Sequence, residues 1–148
     1  MWLINIESMK LEEFTLPHLP TYATLSHTWA DGQVIFYEFK SLDLKRRKPG
    51  IDKIRETCRL AAAKRIPYVW VDTCCIDKSS SAELSEAINS IFEWYKLSAV
   101  CFAYLSDLPK ESPTLWRNEE SQLVCRWFQR GWTLQELLAP AKLEFLID

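Results

Sequence analysis

Short, mostly apolar runs alternate along the chain with longer segments in which apolar residues recur every three or four positions. Residues 23–26, 68–71, 99–105 and 143–147 are the four short runs. The run at 68–71 is continuously apolar, which is typical of a strand buried on both faces of a parallel sheet. We therefore predict strands at these four positions.

Helical spacing marks the segments between the strands. From Ile51 to Arg65 the apolar residues follow a helical repeat, and Pro67 ends the predicted helix. Ser80-Ser-Ala-Glu83 has the form of a capping box, so a second helix is predicted to begin there. The apolar stripe of that helix consists of Leu84, Ala87, Ile88, Ile91 and Tyr95.

The segment 126–140 carries the most informative helix prediction. The helix is predicted to break or bend near Gly131 and to stop at Pro140. Trp132 and Glu136 are four residues apart and therefore share one face. A different face, which we predict to be buried, is formed by Leu134, Leu137 and Leu138. A helix that buries its leucines and presents a tryptophan beside a carboxylate has the parts of a small binding site.

The alternation of strands and helices from residue 23 onward predicts an α/β domain with a mainly parallel sheet. Val34–Phe39 is apolar and β-prone, and is predicted as a short strand or an extended loop. Residues 106–121 contain two prolines and many charges, which favours a loop. The chain ends on the strand-like run 142–148 with nothing after it to cover it, so we expect one domain of a longer protein.

The strand ends predict where a ligand binds. In open parallel sheets, ligands bind beyond the carboxyl ends of the strands. That rule selects the loops after Leu25, Val71 and Leu105. These loops supply Ser26, His27, Thr28, Trp29, Asp72, Thr73, Cys74, Cys75 and Asp107. They indicate a site without identifying its substrate.

Composition and charge narrow the classes of function. The chain has 148 residues and a net charge of −2, so its charge does not favour nucleic acid, which normally binds a basic surface. Only three glycines occur, and neither a GxGxxG nor a P-loop motif is present. No apolar run is long enough to cross a bilayer, and the N-terminus lacks the features of a signal peptide. The five cysteines form no Cys-x-x-Cys pair, which indicates reduced thiols in a cytosolic or nuclear protein.

Several residues have an ordinary structural interpretation beside a functional one. His27 has no second histidine or ordered cysteine spacing near it, so no metal site is expected. The His27 side chain then either forms a hydrogen bond within its own turn or enters a pocket. Cys74 and Cys75 are favoured as buried thiols rather than as a reactive pair. The basic run Lys45–Lys48 is interpreted as a solvated loop rather than a nuclear-import or phosphate-binding patch. Helical spacing alone leaves Glu136 open to a surface role and to a site role.

Four segments together resemble the fungal heterokaryon incompatibility domain, called the HET domain. They are Tyr22–Trp29, Lys53–Cys58, Tyr68–Asn89 and Arg126–Pro140, and they follow the order of that family over nearly the whole chain. The resemblance implies a role in non-self recognition between fungal strains and in the cell death that follows fusion of incompatible cells. It also implies that residues 1–148 form a single domain in the N-terminal part of a longer protein.

The order of elements is also similar, more distantly, to the TIR domain, a flavodoxin-like, three-layer α/β fold with a mainly parallel central sheet flanked by helices. Leu25–Thr28 resembles the first TIR strand and its turn, and Val69–Asp72 resembles the second strand and its terminal acid. Trp132–Leu137 is similar to the Trp-Cys-x-x-Glu-Leu stretch of TIR domains, with Thr133 in place of the cysteine. The glutamate of that stretch is catalytic in the members that cleave NAD, and its role falls here on Glu136.

The two resemblances imply an NAD⁺ glycohydrolase that cleaves the nicotinamide–ribose bond and triggers cell death. Glu136 is the expected catalytic residue. The expected substrate-binding residues are Trp132, Ser26, His27, Trp29, Asp72, Cys74 and Asp107. Cleavage develops positive charge on the ribose, which a fixed carboxylate stabilises, and a tryptophan can stack on a planar ring. NAD⁺ is then a substrate, and no cofactor or metal is expected.

The alternative is a non-enzymatic signalling module that assembles through its seven tryptophans and its amphipathic helices. The expected partners are NAD⁺, further copies of the chain in dimers or higher oligomers, and a regulatory protein. The expected location is the cytoplasm, with neither nucleic acid nor a membrane as a partner. Only the run Lys45–Lys48 favours nucleic-acid binding or cleavage.

Overall fold

A six-stranded sheet forms the centre of the computed structural model, which describes residues 1–29, 31–41, 48–108 and 125–147. The strands are β1 (Trp2–Asn5), β2 (Lys10–Glu13), β3 (Tyr22–His27), β4 (Tyr68–Val71), β5 (Val100–Leu105) and β6 (Leu143–Ile147). The helices are α1 (Phe36–Lys40), α2 (Pro49–Ala63), α3 (Ser81–Leu97) and α4 (Thr133–Leu138), with one 3₁₀ turn at Arg126–Gln129. All four strands predicted from the apolar runs are confirmed.

The sheet is mainly parallel, as predicted. Its strand order is β2-β1-β4-β3-β5-β6. Strand β3 pairs in parallel with β4 and β5, and β5 pairs in parallel with β6, whereas β1 is antiparallel to both of its neighbours. The α/β class is therefore confirmed. Taken in chain order, the four parallel strands lie in the sequence second, first, third, fourth, which is how flavodoxin-like sheets begin.

The central strand β3 fixes where a ligand site can form. All six residues of β3 are buried, as its place between two parallel neighbours requires. The crossovers from β3 to β4 and from β4 to β5 run in opposite directions across the sheet. Right-handed crossovers of this kind place their helices on opposite faces. A crevice is expected at the carboxyl end of β3, where the direction of winding reverses.

An N-terminal hairpin extends the sheet, and the sequence pattern did not predict it. Strands β1 and β2 pair along their whole length. The Asn5 side chain closes the turn, since its Oδ1 accepts hydrogen bonds from the amides of Glu7 and Ser8 at 3.0 and 3.1 Å. Leu3 and Ile4 are fully buried. Strands of four residues are too short for their alternation to be distinguished from chance.

Residues 36–40 form helix α1, so the predicted strand or extended loop at Val34–Phe39 is wrong for residues 36–39, while Ile35 before the helix is extended. Phe36 and Phe39 are three residues apart and therefore share one face of the helix, and both are buried. The Glu38 carboxylate accepts a hydrogen bond from the Ile35 amide at 3.2 Å and supports the first turn. The segment is helical although its residues favour strands, because packing decides the conformation of so short a segment.

The two long helices lie where they were predicted. Helix α2 begins with Pro49, whose missing N–H is not needed in the first turn. At the start of α3, the Ser80 hydroxyl accepts from the Glu83 amide at 3.3 Å. The Glu83 carboxylate instead accepts from the Asp77 amide at 3.3 Å, so only half of the predicted capping box forms. Ile88, a member of the apolar stripe, is 53% exposed.

Tyr22 ties the central strand to the end of α3. Its hydroxyl donates a hydrogen bond of 2.6 Å to the carbonyl of Trp94. That carbonyl is one of the last four of the helix, and no backbone N–H within the helix donates a hydrogen bond to these four. The Ser98 hydroxyl donates in the same way to the Tyr95 carbonyl at 2.7 Å. The end of α3 is thereby capped inside the core.

We expect Tyr22→Phe to lower the free energy of unfolding by about 1–3 kcal/mol, because it leaves the buried Trp94 carbonyl without a partner. Urea denaturation measures the difference. Tyr37→Phe is the matched control, since that hydroxyl bonds Asp77 at the surface and its loss should cost less than about 0.5 kcal/mol. Equal losses in the two variants would contradict the proposed anchor.

Candidate functional site

A cavity of about 460 Å³ opens at the carboxyl ends of β3 and β4, beside α3 and α4. This is the position that the strand-end rule predicts. The polar and aromatic part of its lining consists of Thr28, Trp29, Asp72, Lys78, Arg130, Trp132 and Glu136. Helix α3 contributes an apolar wall of Leu84, Ile88 and Ile91. An apolar cleft with a few convergent polar groups is the usual form of a small-molecule site.

The Glu136 carboxylate is buried at this cavity, with only 4% of the residue exposed. One of its oxygens accepts a hydrogen bond from the Ser26 hydroxyl at the end of β3. That hydroxyl in turn accepts from the Trp127 indole nitrogen at 2.6 Å. The Arg130 guanidinium lies 3.9 Å from the other carboxylate oxygen. Burial raises the pKa of Glu136, although the Ser26 hydrogen bond and the charge of Arg130 oppose the shift.

Helix α4 brings Trp132 and Glu136 together, as predicted from their spacing. Both line the cavity, and the Glu136 amide bonds the Trp132 carbonyl at 3.4 Å. Trp132 is 48% exposed, so its ring is accessible to a ligand. The Thr133 hydroxyl bonds the Trp127 carbonyl and docks the start of α4 on the 3₁₀ turn.

The predicted burial of the leucine face of α4 is wrong. Leu134 and Leu138 are 61% and 66% exposed, and Leu137 is also exposed. Thr133 and Glu136 take the inward positions instead. The helix docks through polar groups that bond Trp127 and Ser26, and these bonds fix its rotation more strongly than the apolar stripe does.

A second hydrogen-bonded group surrounds Asp72, which follows β4. One carboxylate oxygen lies 3.2 Å from Nε2 of His27, and the other accepts from the Trp29 indole nitrogen at 2.9 Å. His27 therefore bonds the neighbouring strand end, and the interpretation that it bonds its own turn is wrong. Burial acts to raise the pKa of Asp72, but the hydrogen bond and charge of His27 and the Trp29 bond hold it below its usual value.

Two cationic residues in the cavity were missed by the sequence reasoning. Arg130 lies just before Gly131 and donates a 2.6 Å hydrogen bond to the His27 carbonyl as well as facing Glu136. Lys78 follows the strand-end loop and places its ammonium 3.7 Å from the centroid of the Trp29 ring. A cation six residues before Glu136, and another seven residues after Val71, were the available signals.

Four of the predicted site residues do not line the cavity. Ser26 and His27 are buried behind it and contact the lining residues Glu136 and Asp72, whereas Cys74 and Asp107 lie elsewhere. Cys74 is fully buried beneath the strand-end loop with its neighbour Cys75, and both are free thiols, as predicted. Neither lines the cavity. Asp107 accepts a hydrogen bond from the Cys125 thiol at 3.0 Å and another from the Arg126 amide at 2.9 Å. The sequence rule treated all strand ends alike, whereas the cavity is lined by residues that follow β3 and β4 and by none that follows β5 among the described residues.

The described residues show neither a metal-binding cluster nor a membrane-spanning helix. Within residues 1–29, 31–41, 48–108 and 125–147, no group of three or more His, Cys, Asp and Glu side chains is placed to hold a metal ion. The same residues contain no helix that is long and apolar enough to span a membrane. Of the basic run Lys45–Lys48, only Lys48 lies within the described residues, and it pairs with Glu38.

We expect Glu136→Gln to stabilise the fold at neutral and alkaline pH. Because the folded pKa of Glu136 is raised, its charged form costs stability above that pKa, while its protonated form does not. The gain in Tm should therefore be present at about pH 8 and should disappear toward about pH 3, below the ordinary glutamate pKa, where the carboxyl is protonated in both states. Glu86→Gln, on the exposed face of α3, is the control and should leave Tm unchanged. A lower Tm for Glu136→Gln across this range would refute the burial cost.

Comparison with known proteins identifies the family. The chain is 44% identical over 133 residues to Vegetative incompatibility protein HET-E-1 of Podospora anserina, a match that covers 86% of this chain and 10% of that protein. The chain thus spans about a tenth of the length of this relative. No solved structure matches the chain. The profile of the family described as "Heterokaryon incompatibility protein (HET)" matches residues 22–119, which is more than half of the sequence. The chain belongs to the heterokaryon incompatibility (HET) family.

Proposed function

We propose that this HET domain acts in fungal vegetative incompatibility as an NAD⁺ glycohydrolase that cleaves the nicotinamide–ribose bond and so triggers cell death. The incompatibility role is supported by membership of the HET family and by the name of the relative from Podospora anserina. The catalytic part is supported by one observation above the others. A buried carboxylate, that of Glu136, lies beside the half-exposed ring of Trp132 in a cavity at the strand ends.

The chemistry requires one fixed negative charge. When the bond between ribose C1′ and the nicotinamide nitrogen breaks, its electron pair stays on nicotinamide, which leaves as a neutral molecule. Positive charge develops on the ribose, and the Glu136 carboxylate stabilises it or holds the ribose hydroxyls. Water then bonds to C1′ through its oxygen and gives up one proton, for which the raised pKa of Glu136 provides an acceptor. The products are nicotinamide, ADP-ribose and a proton.

The neighbouring side chains hold this carboxylate in place. The Ser26 hydroxyl, itself fixed by Trp127, donates to one oxygen, and Arg130 stands at the other. A side chain fixed from two sides needs little reorganisation when the charge develops. The Trp132 ring offers a planar surface for the nicotinamide or for the neighbouring ribose. In this scheme NAD⁺ is the substrate, and no cofactor is required.

Exposed apolar residues favour the second candidate function, assembly without catalysis. Ile88 and Phe92 on α3 and Leu134 and Leu138 on α4 are all more than two-fifths exposed. Exposed apolar groups on neighbouring helices are typical of protein interfaces. Self-association is compatible with catalysis and therefore does not separate the two candidate functions. Removing the Glu136 carboxylate alone does, because only the catalytic function requires it.

We expect the purified chain to release nicotinamide from NAD⁺, and Glu136→Gln to reduce the rate by at least about a hundredfold, the usual cost of removing a group that stabilises the transition state. Chromatography of the products against time measures both. Glu86→Gln is the matched control and should retain the wild-type rate. The proposal fails if wild type at high concentration releases no nicotinamide, or if Glu136→Gln remains as active.

The pH dependence tests the role of Arg130 separately. Glu136 must be ionised to act, so kcat/KM should fall as the pH drops through its raised pKa. Arg130→Met removes a charge that lowers this pKa and should move the acid limb to higher pH. Arg126→Met, whose side chain pairs with Asp107 outside the cavity, should leave the profile unchanged. An unshifted limb in Arg130→Met would exclude the assigned role.

A further inference from the structure

We propose that Lys78, held against Trp29, binds the diphosphate of the ligand and makes the cavity select NAD⁺ and ADP-ribose over nucleosides without phosphate. The inference rests on the proposed NAD⁺ cleavage and assigns the other end of the same substrate. Lys78 and Trp29 come from the loops after β4 and β3, whereas Glu136 comes from α4, and all three line one cavity.

A short chain of contacts fixes the position of Lys78. The Asp72 carboxylate accepts from the Trp29 indole nitrogen at 2.9 Å and thereby orients the ring. The Lys78 ammonium lies 3.7 Å from the centroid of that ring, which is the geometry of a cation–π contact. In the described part of the chain, the ammonium forms no ion pair with a carboxylate. The N–H donors that do not face the ring are consequently available to phosphate oxygens.

The charges of the cavity are otherwise committed within the protein. Arg130 bonds the His27 carbonyl and faces Glu136. Asp72 bonds both His27 and Trp29. Lys78 is therefore the cation that remains for a ligand among the described lining residues. Burial lowers the pKa of Lys78, with the charge of Asp72 opposing the shift, so a bound anion would offset a desolvation cost that the ammonium already bears.

The cavity thus matches the charge pattern of a dinucleotide. NAD⁺ carries positive charge on its nicotinamide ring and negative charge on its diphosphate. Glu136 and Trp132 suit the first, and Lys78 suits the second. The apolar wall of α3 offers a surface for the base at the far end. The two ends of the substrate would then be recognised by groups of opposite charge.

Steady-state kinetics with two substrates tests this assignment. Lys78→Met should lower kcat/KM for NAD⁺ about tenfold, the usual worth of one charge-assisted hydrogen bond, and Lys78→Arg should restore most of it. For nicotinamide riboside, which has the same scissile bond and no phosphate, kcat/KM should stay within about twofold of wild type. Lys96→Met, on the exposed side of α3, is the control for loss of a lysine. If Lys78→Met lowers both substrates equally, or neither, the assignment is overturned.

Binding measurements separate this inference from the catalytic proposal. Fluorescence of the cavity tryptophans is followed during titration with ADP-ribose and with adenosine. We expect wild type to bind ADP-ribose more tightly than adenosine, and Lys78→Met to lose about tenfold in affinity for ADP-ribose and none for adenosine.

If that pattern appears but no nicotinamide is ever released, the phosphate site stands and the catalytic proposal falls. If NAD⁺ is cleaved but ADP-ribose binds Lys78→Met as tightly as wild type, the phosphate site falls alone. Failure of wild type to bind ADP-ribose contradicts both.

Discussion

The hydrogen bond between the Ser26 hydroxyl and the buried Glu136 carboxylate joins the central strand to helix α4, and the arrangement of the cavity depends on it. A carboxylate removed from water is costly unless other groups satisfy its oxygens. Here Trp127 fixes Ser26, and Arg130 approaches the second oxygen. Because Arg130 also bonds the carbonyl at the end of β3, the groups that make burial of the charge tolerable also close one side of the cavity.

The parallel sheet supplies the rest of the site. Neighbouring parallel strands end at the same edge, so His27 and Asp72 meet although 45 residues separate them in sequence. Asp72 then orients Trp29, against which Lys78 rests. In the cavity, the Glu136 carboxylate lies beside Trp132 and the Lys78 ammonium lies beside Trp29. This distribution of charge supports the proposed dinucleotide ligand more strongly than a site defined by one residue could.

Features that repeat along the chain could be predicted from the sequence, whereas features that depend on one distant contact could not. The parallel strands, the two long helices and the pairing of Trp132 with Glu136 follow from spacing and from the rule for strand ends. The rotation of α4 was misjudged, since its exposed leucines satisfy helical periodicity while polar bonds to β3 decide which side turns inward. Arg130 and Lys78 were missed because their roles depend on partners about 50 to 100 residues away. The TIR-like arrangement and the NADase activity stay predictions.

The state of the Glu136 carboxyl tests the central claim most directly. Its carbon resonance can be assigned by NMR through its absence in Glu136→Gln and then followed during a pH titration, with and without ADP-ribose. The account predicts titration above the usual range of a glutamate, because burial outweighs Ser26 and Arg130, and a change in the resonance when the ligand binds. A carboxyl that titrates at or below the ordinary glutamate value and does not respond to ADP-ribose would contradict it.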